Sequence, residues 1–153
     1  EHGISSYGEL ESKLTAVSAR RDTAHAEIKR IESRSAELAL VMKHAGTYRQ
    51  LKPLYERYRK SNDKEKFLRG HESEIILFEA AARELKRLGT VPLPTTESMK
   101  TELANLNAEK ERLLAEYKAA RAEAQEYETV KQNVDALLTV AKEQEQQRRH
   151  ELE

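Results

Sequence analysis

Two long stretches of this chain repeat apolar residues at alternating spacings of four and three, and that pattern leaves little choice of fold. The first runs Leu10, Leu14, Val17, Arg21, Ala24, Ile28, Ile31, Ser35, Leu38, Met42 and Ala45. The second runs Met99, Leu103, Leu106, Lys110, Leu113, Tyr117, Ala120, Ala124, Tyr127, Lys131, Val134, Leu138 and Ala141. Such a register places one apolar stripe along each helix and asks for a partner helix to cover it. With only 38% hydrophobic and 35% charged residues, the 153-residue chain cannot fill a broad core, so narrow seams between helices are expected.

The punctuation marks out four helices, at about 6–46, 53–61, 63–88 and 96–142. Ser6 with Glu9 reads as a capping box, and Gly46-Thr47 as a break. Pro53 suits the first turn of a short helix, and Ser61-Asn62-Asp63 a turn ending in an N-cap. The third helix carries Phe67, Ile75, Ile76, Phe78, Ala81, Ala82, Leu85 and Leu88 and stops at Gly89, a natural C′ residue. Pro92 and Pro94 keep 90–95 non-helical, and Thr95 or Thr96 caps the last helix. Beyond Ala141 the run has no apolar side, so that end is expected to fray.

The expected fold is all-α: a long antiparallel coiled-coil hairpin of two helices of about 40 residues, roughly 60 Å each, with two shorter helices at one end. The whole of 1–153 reads as a single elongated helical domain, monomeric or weakly homo-oligomeric, since a hairpin buries both seams without a second molecule. The start at Glu1-His2-Gly3 and the end at Leu152-Glu153, a pair common as a cloning remnant, read as cut points in a larger protein.

Chemistry is hard to find. There is no cysteine, and His2, His25, His44, His71 and His150 form no metal-ligating spacing. No Gly-rich phosphate loop is present, and Glu72 and Glu74 beside His71 suit surface or cap roles. No catalytic, metal or cofactor site is therefore expected. No apolar run approaches the ~18 residues of a membrane span.

Charge is distributed unevenly. Residues 47–71 hold eight basic groups (Arg49, Lys52, Arg57, Arg59, Lys60, Lys64, Lys66, Arg69) against three acidic ones (Glu56, Asp63, Glu65), a net of +5 in a chain of net charge zero. Tyr48, Tyr55, Tyr58 and Phe67 lie in the same stretch. Cations interleaved with rings suit nucleic acid, the cations on phosphates and Tyr55 and Tyr58 stacking on bases if exposed. The same four rings suit a small core closing the hairpin, with the lysines and arginines as ordinary surface groups.

Five strings are distinctive: Met42-Lys43-His44, Thr47-Tyr48, Lys52-Pro53-Leu54-Tyr55-Glu56-Arg57-Tyr58-Arg59-Lys60, His71-Glu72-Ser73-Glu74-Ile75-Ile76-Leu77-Phe78-Glu79-Ala80-Ala81 and Val130-Lys131-Gln132-Asn133-Val134-Asp135. Together they resemble the C-terminal helical region of relaxases, the mobilisation nucleases of conjugative plasmids and transposons in Gram-positive gut bacteria. The resemblance covers about Ser6 to Leu138. It implies a parent enzyme that nicks DNA with a catalytic Tyr and a His-held metal in an N-terminal domain. Neither element has a counterpart here, so no catalytic residue carries over. What it implies for this chain is a cytoplasmic accessory region that contacts DNA or other relaxosome and transfer proteins. The alternative is a coiled-coil spacer or protein-interaction module, with Leu40 or Leu114 as contact points.

Overall fold

The computed structural model describes residues 6–152, which form three helices and, among the described residues, no strand. They are α1 (Tyr7–Lys60), α2 (Lys64–Arg87) and α3 (Thr96–Leu152). The expectations that concern Glu1, His2, Gly3 and Glu153 lie outside the described residues.

The expected break at Gly46-Thr47 and the separate short helix from 53 do not form: α1 continues through both to Lys60. Gly46 has an ordinary negative φ and costs only some backbone entropy. Pro53 costs more, since it has no N–H for the Arg49 carbonyl one turn back. Ring packing offsets that loss. Tyr48 and Tyr55, seven residues apart and on either side of Pro53, stack on the same residue, Phe78, with centroids 4.8 and 4.3 Å away. α3 likewise runs on to Leu152. Its polar end is rich in Glu, Gln, Lys and Arg, all good helix formers, and Arg149 bonds Glu145 at 3.0 Å.

The expected stops are found. Ser6 Oγ accepts the Glu9 amide at 3.1 Å, Asp63 accepts the Lys66 amide at 3.1 Å, and Thr95 Oγ1 accepts the Ser98 amide at 3.1 Å. α2 closes in a Schellman motif: Thr90 N–H reaches the Leu85 carbonyl, Gly89 N–H reaches that of Lys86, and Gly89 has φ +72°. A Cβ on Gly89 or on Gly46 would meet nothing within 4 Å, so backbone conformation alone decides their substitutions. Gly89→Ala is expected to cost about 1–2 kcal/mol. Gly46→Ala, inside a helix, is expected to add about 0.5–1 kcal/mol. Urea unfolding followed by circular dichroism at 222 nm separates the two signs.

The contacts divide into two units. One holds the described residues up to Lys29 and those from Lys110, the other Arg30–Glu109. In the first, Leu10, Val17, Ala124 and Tyr127 form a buried cluster with Tyr7 and Leu14 packed on it, and Ala24, Ile28, Leu113 and Ala120 are also buried. Arg20 reaches Glu123 at 3.4 Å, and the His25 ring lies 5.7 Å from that of Tyr117. Arg21, Lys110 and Lys131, the charged seam residues of this unit, are only half-buried, as long stems with charged heads allow.

The α3 seam ends earlier than expected. Val134 is half-buried, but Leu138 is 51% exposed and Ala141 is exposed. α1 begins at Tyr7, whose phenol already bonds Asp135, so its described residues offer no cover farther along α3. That hydrogen bond to Asp135, with some burial, pushes the Tyr7 pKa up to about 12. Losing the proton would turn donor into anion beside a carboxylate, so the folded chain binds this proton more tightly than the unfolded chain. Stability therefore falls as pH rises from about 10 to about 12. In an ultraviolet titration at 295 nm, one tyrosine is expected to ionise near pH 12, and Tyr7→Phe removes that step.

In the second unit all three helices supply buried residues: Ile31, Leu38, Val41 and Ala45 of α1, Ile75, Phe78, Ala81 and Leu85 of α2, and Met99 and Leu106 of α3. Val41, 1% exposed, lies off the expected seam, because α2 gives α1 a second side to cover. Ile76, assigned to the apolar set of α2, is instead 53% exposed. Arg34 holds Glu102 through two hydrogen bonds of 2.7 and 3.1 Å, and Arg30 lies 3.8 Å from Glu109.

Candidate nucleic-acid interface

The turn between α1 and α2 is three residues long. Ser61 N–H bonds the Tyr58 carbonyl and Phe67 N–H the Asp63 carbonyl, so the last turn of α1 and the first of α2 are tied closely to it. Seven residues on, α2 is interrupted at His71, which has the non-helical angles φ −137° and ψ 26°. Its Nδ1 has no hydrogen-bond partner, and Glu74 lies 3.8 Å away. Glu72 and Glu74 are both exposed.

The ten candidate residues fall into four groups. Arg57, Arg59, Lys60, Lys64, Lys66 and Arg69 are exposed and flank the turn, and none forms an ion pair among the described residues. Arg49 is committed elsewhere: it donates to Thr96 Oγ1 at 2.7 Å and to the Pro94 carbonyl, fixing the α2–α3 connection to α1. Lys52 lies over the Tyr48 ring, 5.8 Å from its centroid.

Tyr55 and Tyr58 are half-buried in a continuous series of rings. Tyr48 packs on Phe78, Phe78 on Tyr55, Tyr55 on Tyr58 at 5.9 Å, Tyr58 on Phe67 at 6.0 Å, and Phe67 on His71 at 4.7 Å. This series is the small core that the sequence left as an alternative. It sets the distance between α1 and α2 and so the spacing of the cations on either side.

An open cleft of about 440 Å³ runs beside the rings, lined by Tyr48, Lys52, Tyr55, Arg59, Phe78 and Arg83 among others. Arg83 is a cation that the sequence reading missed. It lies outside the basic stretch, and only the fold-back of α2 brings it beside Arg59. Arg87, one turn farther on, is engaged with Glu84 at 2.7 Å, which draws the Glu84 carboxyl below its usual range. A second cleft, of about 480 Å³, is mainly apolar and lined by Tyr48, Ala82, Leu85, Val91 and Leu93 among others.

Among the described residues no group of three or more His, Cys, Asp or Glu could hold a metal ion. No described helix is long and apolar enough to cross a membrane. No protein-family model, no curated protein and no solved structure matches the chain.

Proposed function

We propose that this chain is a non-catalytic accessory part of a DNA-mobilisation relaxase, and that it binds DNA through the α1–α2 turn. The observation that carries the reading is the group of six exposed cations around a three-residue turn, with no ion pair to neutralise them. Cations left in water attract a polyanion by releasing its counterions, and need no pocket to do so. The relaxase assignment rests on the sequence strings quoted above. In this reading α1 and α3 pair antiparallel within each unit. The partners within each unit support that direction: Tyr7, Arg20 and His25 meet Asp135, Glu123 and Tyr117, while Arg30 and Arg34 meet Glu109 and Glu102.

The test is a fluorescence-anisotropy titration with DNA at ~50 and ~200 mM salt. Binding that weakens steeply with salt is expected. Failure to bind at the lower salt would remove the nucleic-acid reading.

One observation favours a second reading, a protein-docking module. Val130, Leu137, Leu138 and Val140 are exposed on the C-terminal part of α3, where single apolar residues would be unremarkable but three within four positions, 137 to 140, are not. A relaxosome or transfer protein would then be the partner. Leu137→Ser with Leu138→Ser is expected to abolish such an interaction and leave DNA binding unchanged.

A further inference from the structure

Resting on that DNA-binding reading, we infer that the α1–α2 surface takes duplex DNA through its phosphates alone, and that its aromatic rings are closed to bases. Single-strand binders combine a cationic groove with ring faces on which bases stack. Here the ring faces have occupants from the chain itself. Phe78 is 6% exposed and lies between Tyr48 and Tyr55. The Tyr58 ring meets those of Tyr55 and Phe67, tilted, with centroids 5.9 and 6.0 Å away. Cations lie over two of the rings, Lys52 over Tyr48 at 5.8 Å and Arg57 over Phe67 at 5.7 Å. A base entering the series would displace a ring or a cation already bound to one.

Arg59, Lys60, Lys64, Lys66 and Arg69 remain exposed, and they recognise charge density. Duplex DNA carries one charge per about 1.7 Å of axis and releases more counterion per phosphate neutralised than a single strand does. Without stacking to compensate, a single strand of equal length is the weaker ligand. Arg57, Arg59 and Lys60 lie at the end of α1 while Lys64 and Lys66 begin α2, so the cations come from two elements joined by a turn. Contacts of this kind position a protein on the backbone without reading sequence.

The experiment titrates the full chain with a labelled duplex of ~20 base pairs and with each of its single strands at ~50 mM salt. Tyrosine emission is recorded in parallel; the chain has six Tyr and no Trp, so base stacking would quench a clean signal. The expected result is a duplex Kd at least ~5-fold below that of either strand, with tyrosine emission unchanged by both ligands. Permuting the duplex sequence is expected to change the Kd by less than ~3-fold. Single strands that bind as tightly as duplex, or that quench tyrosine, would overturn the inference while leaving the DNA-binding reading in place. Failure of both DNA forms to bind would overturn the two together. No substitution in the ring series is required, so a folding defect cannot mimic any of these results.

Discussion

Replacing Arg57, Arg59 and Lys60 together with alanine is expected to weaken DNA binding on the order of 100-fold at ~50 mM salt. The three side chains are exposed at the end of α1 and none holds an ion pair among the described residues, Arg57 lying over the Phe67 ring, so their loss is expected to leave the helices intact. Each phosphate contact removed should lower the slope of log K against log salt by about 0.9, so the triple variant loses nearly three from that slope. Circular dichroism at 222 nm should be unchanged. A matched variant, Arg112→Ala with Lys118→Ala and Arg121→Ala, removes the same charge from exposed positions on α3. Its affinity is expected to change by only a few-fold. Equal losses in the two variants would mean that net charge, and not the α1–α2 turn, governs binding.

The largest effect on stability is expected at Phe78. Phe78→Ala removes a nearly buried ring that stacks on both Tyr48 and Tyr55, and should cost about 3–5 kcal/mol. Part of that cost is exposed as a changed α1, since the two tyrosines that bracket Pro53 lose their shared partner. Ile76→Ala, two residues away but 53% exposed, should fall within about 0.5 kcal/mol of the parent chain. Urea unfolding of the two variants side by side makes the comparison. Similar midpoints would show that the ring series does not carry the packing of α2 against α1.

These expectations differ in how far they could have been set without coordinates. The exposed cations were legible because a run of like charge against few acids cannot be buried, whatever the fold. The committed cation Arg49 was not legible. Its partners, Thr96 and the Pro94 carbonyl, lie more than forty residues away, and nothing local marks it apart from Arg57 or Arg59. Arg83 was overlooked for the same reason, since its neighbour Arg59 is brought to it only by the return of α2. The tyrosines were read correctly as a group and ambiguously as to role, because half-buried rings and stacking platforms share one composition.

By itself the amino-acid sequence determined the helical class, the seam positions from Leu10 to Ala45 and from Met99 to Val134, and the caps at Ser6, Asp63, Gly89 and Thr95. Periodicity and capping are short-range properties, settled within one or two turns of backbone. Only the tertiary structure decided that α1 runs unbroken through Gly46 and Pro53, that Val41 is buried and Ile76 is not, and that Leu138 and Ala141 stay in water. Each of those depends on whether another helix arrives at that point. Phe78 arrives beside Tyr48 and Tyr55 and holds a helix across its proline, whereas α1 starts too late to cover the last seam residues of α3.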